Sequence, residues 1–526
     1  MQGLMMDMPL LLSMLLRHAD RHHGDTEIVS KTVEGTIHRY TYRAAHARAR
    51  RLANGLKRLG VGMHERVATL AWNGHRHFEI YYAVAGSGAV IHTINPRLFP
   101  DQITYIVNHA EDKVVFYDAT FAPLVEKLKP QAKTVKHWVA LGDPYEELLA
   151  GESDAFDWPS FDERTAACLC YTSGTTGNPK GALYSHRSSM LHAYGAALPD
   201  ALNISARDIV LPVVPMFHVN AWGLPYSCAA TGAKMVFPGQ HLDGKSLHEL
   251  FEAEGVTMSA GVPTVWLGLL NYMKEKGLRF STLKRVVIGG SAAPPAMIRA
   301  FQEDYGVHVL HAWGMTEMSP LGTVCTFKAR HAAATKEERY ALQNKPGRAI
   351  FGVDLRIVDE SGKELPWDGK AFGNLEVRGP WVIKSYFKGE GGDPLDHGWF
   401  PTGDVVTIDP EGFIQITDRS KDVIKSGGEW ISSIELENIA VAHPAVGEAA
   451  VIGVKHPKWD ERPILVVVKK PGQDVSKEEL LGFYEGKIAK WWMPDDVVFV
   501  PELPHTATGK LSKLQLRQQF RDYKLP

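Results

Sequence analysis

Between about residues 40 and 310, short apolar runs typical of buried strands alternate with segments of helical periodicity. The clearest strand-like runs are 65–70, 113–117 and 285–288. The last of these leads into Gly289-Gly290, a pair that marks the end of a strand and the start of a turn. Alternation of this kind predicts α/β layers built on largely parallel sheet.

The pattern changes after about residue 345, where short β runs are separated by frequent glycines and Asp-Gly-type turns. These runs are 354–358, 373–377, 405–408 and 413–416. Short strands joined by tight turns predict a small β-rich subdomain.

Beyond Asp418 the pattern returns to mixed helices and strands, with predicted helices over 433–441 and 477–490 and predicted strands over 448–454 and 464–468. A segment of about a hundred residues is large enough for a separate α+β domain. We therefore predict an N-terminal domain over 1–417 and a smaller, mobile C-terminal lid over 418–526. The short charged run 418–422 is interpreted as a hinge at about Asp418.

Length and charge limit the possible functions. A chain of 526 residues exceeds what one hydrophobic core usually organises. The formal net charge of −2 gives no global positive field, so nucleic acid is not an expected partner. Four cysteines in so long a chain do not form a disulfide framework, and all four are expected to be buried structural residues.

Residues 9–16 near the N-terminus are strongly apolar, so a targeting or membrane segment has to be considered. Asp7 precedes this run, no basic region and no small-residue cleavage site flank it, and it is too short to span a bilayer. Pro9 followed by leucines at helical spacing predicts an amphipathic first helix. We expect a cytoplasmic chain without an integral membrane segment, and residues 524–526 are not a peroxisomal tripeptide.

The strongest chemical signal is the segment 171–181, which reads Tyr-Thr-Ser-Gly-Thr-Thr-Gly-Asn-Pro-Lys-Gly after an apolar strand. Its glycines let the backbone approach an anion closely, while its hydroxyl and N–H groups supply hydrogen-bond donors. Lys180 adds a positive charge for a phosphate oxygen. The segment is not a Walker A loop, because Pro179 precedes the lysine and Gly181 follows it.

This loop resembles the phosphate-binding motif of the adenylate-forming superfamily, which includes acyl-CoA synthetases, adenylation domains of peptide synthetases and firefly-type luciferases. The resemblance runs from roughly residue 10 to the C-terminus, and it is strongest to medium- and long-chain fatty acyl-CoA synthetases and methylthiopropionate–CoA ligases. It implies a large N-terminal domain of two α/β subdomains and a β-rich subdomain, with ATP, Mg²⁺ and coenzyme A as cofactors. It also implies catalysis by Lys180 and nucleotide binding by the loop residues Thr172, Ser173, Gly174, Thr175, Thr176 and Gly177.

A second motif, residues 313–317, combines a tryptophan, a glycine, a hydroxyl and a carboxylate. By resemblance Trp313 flanks the adenine, Thr316 contacts the α-phosphate, and Glu317 binds Mg²⁺ together with Thr172. Thr316 and Glu317 are therefore predicted catalytic residues. The remaining residues that the resemblance assigns to the nucleotide site here are Gly290, Ser291, Ala292, His311, Gly314 and Met315.

Further motifs follow in the C-terminal third. Asp404 can accept bonds from two ribose hydroxyls because an ionised carboxylate is only an acceptor, and Arg419 is the predicted ribose or phosphate partner. The pair Gly427-Gly428 would let a pantetheine arm pass close to the backbone. Lys510 is singled out only by the resemblance, which places it at the α-phosphate during adenylation. The other cofactor-binding residues that the resemblance implies are Lys421, Lys425 and Trp430.

The candidate acid pocket is the aromatic segment 214–223. It is similar to the wall of the acyl pocket in fatty acyl-CoA synthetases, which implies that His218 and Val219 line the pocket and that Trp222 gates it. Trp266 is a weaker pocket candidate. No cationic residue in this segment is placed to bind an acidic substrate tail.

These observations predict an acid–CoA ligase that activates a carboxylate as acyl-AMP and transfers the acyl group to coenzyme A. The predicted acid is a medium- or long-chain fatty acid. Methylthiopropionate, another short or aromatic acid, and transfer to a carrier protein remain alternatives. A luciferase-like oxygenase shares the core motifs, and a non-enzymatic lipid-binding protein is disfavoured by the intact phosphate and magnesium positions. A homodimer is suggested only by resemblance to the long-chain enzymes.

Overall fold

The α/β alternation predicted for the first three hundred residues is confirmed, and the strands form two separate sheets. The computed structural model describes residues 1, 3–172, 178–427, 429–505 and 511–525, without the side chain of Glu429. Backbone proximity divides the chain into two compact units, the first comprising Met1–Asp354 with Arg378–Phe400 and the second Leu355–Val377 with Pro401–Pro526. The strands are β1 (Glu27–Lys31), β2 (Ile37–Thr41), β3 (Arg66–Leu70), β4 (Val90–Thr93), β5 (Asp112–Asp118), β6 (His137–Leu141), β7 (Ala166–Tyr171), β8 (Gly181–Ser185), β9 (Ile209–Pro212), β10 (Lys234–Phe237), β11 (Met258–Gly261), β12 (Arg285–Ile288), β13 (His308–Gly314), β14 (Leu321–Val324), β15 (Arg348–Ala349), β16 (Asp354–Val358), β17 (Phe372–Arg378), β18 (Phe400–Ile408), β19 (Ile414–Arg419), β20 (Ile424–Ser426), β21 (Glu429–Ile431), β22 (Val446–His456), β23 (Asp460–Lys469) and β24 (Asp496–Phe499).

Some helices begin at a side-chain cap: Ser185 caps the helix after the phosphate-loop hairpin, and Ser432 caps the first C-terminal helix. The helices are α1 (Ser13–His23), α2 (Tyr42–Arg58), α3 (His75–Gly86), α4 (Pro100–Ala110), α5 (Ala122–Leu128), α6 (Asp143–Ala150), α7 (His186–Ala197), α8 (Val219–Trp222, a left-handed turn), α9 (Leu224–Thr231), α10 (Gly244–Glu254), α11 (Pro263–Lys276), α12 (Pro295–Arg299), α13 (Lys336–Gln343), α14 (Ser433–Val441), α15 (Lys477–Tyr484) and α16 (Lys513–Gln519). Short 3₁₀ segments are Ala119–Phe121, Thr316–Met318, Ala329–Ala333, Phe387–Gly389 and Lys490–Trp492, and a π-helical turn covers Ala300–Asp304.

The six-stranded sheet has the order β6-β5-β3-β4-β7-β8 and carries the phosphate loop at one edge. Its first five strands are parallel neighbours, and β8 joins β7 in the antiparallel direction. The loop is followed first by β8 and then by α7, which begins at His186 after its N-cap Ser185. The phosphate loop is therefore the connection of a β-hairpin, which fixes its two ends side by side.

The nine-stranded sheet has the order β15-β14-β13-β12-β11-β9-β10-β1-β2. Its central strands β13, β12, β11, β9, β10 and β1 are parallel neighbours. Val210, Val286 and Val309 on this sheet are fully buried, as expected for strands covered on both faces. The carboxyl ends of β12 and β13 lead directly into the predicted adenine turn and the 313–317 motif, so the sheet places these two motifs next to each other.

The second unit contains a four-stranded sheet, β16-β17-β18-β19, and a five-stranded sheet, β21-β20-β23-β22, in which β24 pairs with β23. The predicted short β runs are confirmed as β16 to β19. The predicted helix over 477–490 is wrong in its second half, because α15 ends at Tyr484 and Gly486 adopts a positive φ of 74°. The domain boundary at 417/418 and the hinge at Asp418 stay predictions.

The structure describes the N-terminal helix and all four cysteines. The predicted first helix is confirmed as α1, although it begins at Ser13 rather than at Pro9. None of the helices in the described part of the chain is long and apolar enough to cross a membrane. All four cysteines are free and buried, as the sequence indicated.

Candidate active site

The base of the phosphate loop is closed by hydrogen bonds between its two ends. The Thr172 N–H donates to the Lys180 carbonyl at 2.9 Å, and the Lys180 N–H donates to Thr172 Oγ1 at 3.3 Å. Next to Thr172 and Lys180 along the chain, Tyr171 pairs with Gly181 across the hairpin. Ser173, Gly174, Thr175, Thr176 and Gly177, predicted to bind the phosphates, lie outside the described residues. The hairpin thus holds both predicted anchors of the loop, Thr172 and Lys180, in place.

Tyr386 connects two of the charged groups that the sequence assigned to catalysis, Glu317 and Lys180. Its hydroxyl donates to Glu317 Oε1 at 2.8 Å, and the Lys180 Nζ lies 5.0 Å from the centroid of its ring. Burial, together with the nearby Glu317 charge, raises the pKa of the Tyr386 phenol, so this hydroxyl remains protonated and acts as a donor. One tyrosine therefore contacts the predicted magnesium ligand and the predicted phosphate ligand at the same time.

The segment that carries Tyr386 is fastened to its surroundings beyond the ring itself. Tyr105 donates from its hydroxyl to Glu390 Oε1 at 2.5 Å, and Lys388 forms an ion pair with Glu111 at 2.6 Å. A Cβ atom at Gly391, where φ is +77°, would lie 2.6 Å from the Lys180 Nζ. The absence of a side chain at Gly391 therefore leaves the room that the lysine head group occupies.

Backbone contacts fix the turn that presents Thr316 and Glu317. A Cβ atom at Gly314 would lie 2.0 Å from the Pro320 carbonyl oxygen, so only glycine permits this close approach. The Tyr184 hydroxyl donates to the Thr316 carbonyl at 2.5 Å, and the Ile383 N–H donates to the Glu317 carbonyl at 2.9 Å. The Glu317 side chain is thereby held on a buried turn rather than on a free loop.

The chemistry of these groups fits Mg²⁺. In the part of the chain that the structure describes, no group of three or more His, Cys, Asp or Glu side chains could hold a metal ion by itself. Mg²⁺ does not require such a cage, because it is usually bound by one or two carboxylates together with substrate phosphates and water. A single buried carboxylate at Glu317 beside a phosphate loop, with Thr172 as a possible hydroxyl ligand, is that kind of site.

The predicted adenine turn lies beside His311. Gly290 has a φ of +80°, Ser291 and Ala292 are exposed, and the Ala293 N–H donates to His311 Nε2 at 3.3 Å. His311 Nδ1 in turn contacts the Gln343 carbonyl at 3.0 Å. Burial lowers the pKa of His311 to about 4, so the imidazole is neutral and can accept from Ala293. His311 therefore stabilises the turn by accepting a hydrogen bond from the Ala293 N–H.

The two tryptophans of the predicted nucleotide and acid sites occupy different surroundings. Trp313 is 8% exposed, and its ring packs on Gly322, where an added Cβ atom would lie 2.7 Å away. Trp222 is half-buried, and its indole lies against the backbone of Gly289, where an added Cβ atom would lie 3.0 Å away. The predicted acid wall and the predicted adenine turn are thus in direct contact.

The remaining acid-pocket residues separate into two groups. His218 is half-buried and Val219 is buried, both at the start of the same turn as Trp222. Trp266 is fully buried in the core of the nine-stranded sheet, where its Nε1 donates to the Val287 carbonyl at 3.3 Å and its ring meets Phe301 edge-on. This placement makes Trp266 a core residue, which corrects the sequence-based suggestion that it lines the pocket.

In the second unit, Asp404 and Arg419 form an ion pair across β18 and β19. Arg419 Nε lies 2.9 Å from Asp404 Oδ1, and the two residues are direct cross-strand neighbours. The Asp404 side chain is buried, whereas the Arg419 side chain is 57% exposed. The sequence predicted Asp404 as a ribose ligand and Arg419 as a ribose or phosphate partner, and the structure brings the two together as one acceptor–donor pair.

The predicted hinge residue Asp418 has a fully buried side chain. Its Oδ2 accepts from both the N–H and the hydroxyl of Ser433 at 2.6 Å, at the start of α14. Lys513 donates to the same Ser433 hydroxyl at 2.5 Å and pairs with Glu437 at 2.8 Å. Burial raises the pKa of Asp418, and the Lys513 charge opposes that shift. Asp418 is therefore anchored to α14 through a buried polar cluster.

The predicted coenzyme A residues lie around the turn between β20 and β21. Gly427 has a φ of +59°. A Cβ atom added at Gly427 would lie 3.0 Å from the Trp459 ring. Lys425 forms an ion pair with Glu360 at 2.6 Å and lies 5.6 Å from the ring centroid of Trp430, its cross-strand neighbour. Lys421 is exposed on the preceding turn. Gly428 and Lys510 lie outside the described residues.

Tyr386 is the main residue that sequence reasoning missed. It follows Glu317 by roughly seventy positions along the printed sequence, in a segment with no local signal for catalysis. Its neighbour Gly391 and the Gly-rich run 389–392 were the only available signal, since such a run indicates close approach of another group.

We expect Tyr386→Phe to slow adenylation by about tenfold, the cost of losing one hydrogen bond to a charged group. The ring, and with it the contact to Lys180, is retained. The measurement is single-turnover pyrophosphate release at several Mg²⁺ concentrations, where the variant should require more Mg²⁺. Tyr145→Phe is the matched control, because the Tyr145 hydroxyl also donates to a buried carboxylate, Glu79, at 2.7 Å. If the two variants behave alike, Tyr386 does not position Glu317.

Comparison with known proteins gives a consistent result over nearly the whole chain. Residues 15–387 match the AMP-binding enzyme family, and residues 435–510 match the AMP-binding enzyme C-terminal domain. The chain is 55% identical to 3-methylmercaptopropionyl-CoA ligase of Ruegeria lacuscaerulensis, over 99% of each chain. It is 51% identical to medium-chain-fatty-acid–CoA ligase of Ectopseudomonas oleovorans, over 99% of this chain and 98% of the other.

Among solved structures, the anthranilate CoA ligase AuaEII in complex with anthranoyl-AMP is similar, with a TM-score of 0.86 and 25% sequence identity over 98% of each chain. That complex contains an acyl-adenylate. The fold predicted from the motifs is therefore confirmed by an independently solved relative.

Proposed function

This chain belongs to the family of AMP-binding enzymes, and we propose that within it the protein is an acid–CoA ligase for medium-chain fatty acids. It is an ATP-dependent, AMP-forming ligase that uses ATP, Mg²⁺ and coenzyme A. Both relatives described above carry the names of CoA ligases, one for 3-methylmercaptopropionate and one for medium-chain fatty acids, and this agreement supports the proposed class of substrate.

The observation that carries the proposal is the contact of Trp222 with Gly289-Gly290. The indole approaches both glycines, with an added Cβ atom at Gly290 lying 3.9 Å from it. An aromatic wall beside the adenine turn leaves an apolar surface for an alkyl chain close to the position proposed for the α-phosphate. Val219, Ala221 and Met216 around it are apolar and buried, which suits a tail without charge.

A second candidate substrate is 3-methylthiopropionate. The relative from Ruegeria lacuscaerulensis is the more similar of the two enzymes by four percentage points, 55% against 51%, and its printed name specifies that acid. A thioether is about as apolar as a methylene chain and fills the same kind of surface. The two candidates therefore differ in the length of the tail rather than in its chemistry.

The reaction has a physical difficulty in each half. A carboxylate is a poor electrophile, so its oxygen first attacks the α-phosphorus of ATP, and the bond to pyrophosphate breaks. The coenzyme A thiolate then attacks the acyl carbon, and AMP leaves with the bonding electron pair. Transfer at phosphorus gains mainly from positioning and neutralisation of charge.

We assign these tasks to named residues. Lys180 and Lys510 neutralise phosphate oxygens, and Thr316 donates to the α-phosphate. Glu317, with Thr172, would hold Mg²⁺, which supplies further neutralisation of the triphosphate when bound. Tyr386 keeps the Glu317 carboxylate in one orientation. Asp404 and Arg419 would bind the ribose hydroxyls.

The test is initial-rate AMP release with ATP and coenzyme A across straight-chain acids from propionate to palmitate, with 3-methylthiopropionate and benzoate included. We expect the highest kcat/KM between hexanoate and decanoate. A maximum at 3-methylthiopropionate would replace the proposed substrate with the second candidate. A maximum at palmitate or benzoate would contradict both.

Trp222→Ala should shift this acid profile toward longer chains while the KM for ATP changes little. Each additional buried methylene is worth about 0.8 kcal/mol, or about fourfold in kcat/KM, once room is available. Trp266→Ala is the matched control, because Trp266 is a core residue and should lower stability without moving the profile. An unchanged profile in Trp222→Ala would place the indole away from the acid.

A further inference from the structure

The segment that carries Trp222 has an unusual backbone. Five consecutive residues have positive φ angles: 46° at Val219, 52° at Asn220, 49° at Ala221, 55° at Trp222 and 75° at Gly223. Residues other than glycine normally enter this region singly, because the Cβ atom approaches the following carbonyl oxygen. A run that includes a β-branched valine and a tryptophan persists only where surrounding contacts hold it.

A buried chain of polar side chains supplies such contacts at Asn220. The Cys170 thiol donates to Asn220 Oδ1 at 3.1 Å, and Asn220 Nδ2 donates to the Tyr226 hydroxyl oxygen at 3.3 Å. The Tyr226 hydroxyl also contacts Cys168 Sγ at 3.2 Å. Asn220 is 3% exposed, and both cysteines lie on one face of β7. The chain therefore ties the left-handed turn to the strand that leads into the phosphate loop.

The protonation states of this chain are settled by burial. Desolvation raises the pKa of Cys168 to about 12 and that of Cys170 to about 11, and it raises the pKa of Tyr226 further above its ordinary value. All three groups are therefore neutral at physiological pH and can act as donors. The Asn220 amide, which both accepts and donates, satisfies a neighbour on each side, Cys170 and Tyr226.

The ends of the turn are held by separate contacts. The Ala221 N–H donates to the Pro215 carbonyl at 3.2 Å, and a Cβ atom at Gly223 would lie 2.8 Å from the His192 imidazole. Upstream, Asn73 donates to the Pro212 and Val214 carbonyls at 2.8 and 2.9 Å. Because both ends are fixed, the orientation of Trp222 in between depends on the contacts of the turn itself.

We propose that Asn220, bridging Cys170 and Tyr226, is a positioning residue that holds Trp222 against Gly289-Gly290 and thereby sets the discrimination between acids of different length. The proposal rests on the proposed function, in which Trp222 forms the wall of the acid pocket. Asparagine is also tolerated at positive φ for its backbone alone, so the side-chain role has to be separated from the backbone role.

Asn220→Gly makes that separation. Glycine adopts positive φ without strain, so the left-handed turn remains accessible while the amide bridge is lost. Asn203→Gly is the matched control, since Asn203 also has a positive φ, 53°, but is exposed and lies outside this turn. Tyr226→Phe removes one hydroxyl of the bridge and leaves Asn220 and the turn sequence intact.

We expect Asn220→Gly and Tyr226→Phe each to reduce the ratio of kcat/KM between the best acid and an acid two methylenes longer by at least about threefold. The KM for ATP should stay within about twofold of the wild-type value. A general loss of structure would change the KM for ATP as well. In protein labelled with 5-fluorotryptophan, the ¹⁹F resonance assigned through Trp222→Phe should broaden or shift in both variants. Asn203→Gly should change none of these quantities.

Two results would overturn the proposal: an unchanged acid ratio in both variants, or changes in acid ratio and ATP KM of similar size. If Asn220→Gly does not fold, Tyr226→Phe decides alone. Failure of the proposed function is recognised separately, because wild-type protein would then show no acid-dependent AMP release. A wild-type enzyme whose acid ratio responds to Trp222→Ala but not to Asn220→Gly or Tyr226→Phe would refute the positioning role alone.

Discussion

Glu317→Gln is expected to reduce acyl-adenylate formation by at least about a hundredfold, because the site loses the one carboxylate that would hold Mg²⁺ beside the triphosphate. The amide has the shape of the carboxylate, and its oxygen can still accept the Tyr386 hydroxyl. The fold should therefore be retained. The measurement is single-turnover pyrophosphate release with saturating ATP and acid, together with the urea midpoint of unfolding.

The chain offers a matched control at Glu79. That carboxylate is fully buried and also accepts from a tyrosine hydroxyl, Tyr145, and from Arg48. Glu79→Gln should lower the urea midpoint, since Arg48 loses a charged partner, while each folded molecule adenylates at close to the wild-type rate. A Glu317→Gln enzyme that keeps half or more of wild-type turnover would show that Glu317 is not the metal ligand.

Lys510→Ala is expected to separate the two half-reactions. Loss of one preorganised charge partner should slow acyl-AMP formation by about a hundredfold or more. Supplied with synthetic acyl-AMP and coenzyme A, the same variant should form thioester at close to the wild-type rate, because the predicted lid rotation moves Lys510 away from the reacting carbonyl. The measurement is a pair of single-turnover assays, one for each half-reaction.

Gly428→Trp is the counterpart of this variant and should show the opposite pattern. A large side chain at the predicted pantetheine path should block thioester formation and leave adenylation largely intact. Equal impairment of both half-reactions in Lys510→Ala would contradict a rotation of the C-terminal lid about Asp418, which stays a prediction, and would make Lys510 a structural residue.

The parts of the site that the sequence revealed are those whose chemistry is contiguous. The loop 171–181 places glycines, hydroxyls and a lysine within one short segment, so the prediction that it binds an anion could be made from local sequence. The strand of residues 285–288 ending in Gly289-Gly290 was likewise recognisable because apolar runs and glycine pairs are short-range signals.

The parts that the sequence did not reveal depend on contacts between distant segments. Tyr386 reaches Glu317 and Lys180 only through the folded chain, and the Gly-rich run 389–392 is the one local signal near it. The left-handed turn at 219–223 contradicts the local preferences of Val219 and Trp222, and the contacts made there by Asn220 come from Cys170, which is distant along the chain, and from Tyr226. Trp266 was misjudged because an aromatic residue near a pocket segment and one in the core have the same local pattern.

The most direct test of the central claim is the fate of oxygen from the acid. With octanoate labelled with oxygen-18 in both carboxylate oxygens, the wild-type enzyme, ATP, Mg²⁺ and coenzyme A should produce AMP that carries one labelled oxygen atom, detected by mass spectrometry. That result follows because the carboxylate oxygen that attacks the α-phosphorus leaves with AMP. Label in inorganic phosphate with formation of ADP, or unlabelled AMP alongside the thioester, would contradict an acyl-adenylate mechanism.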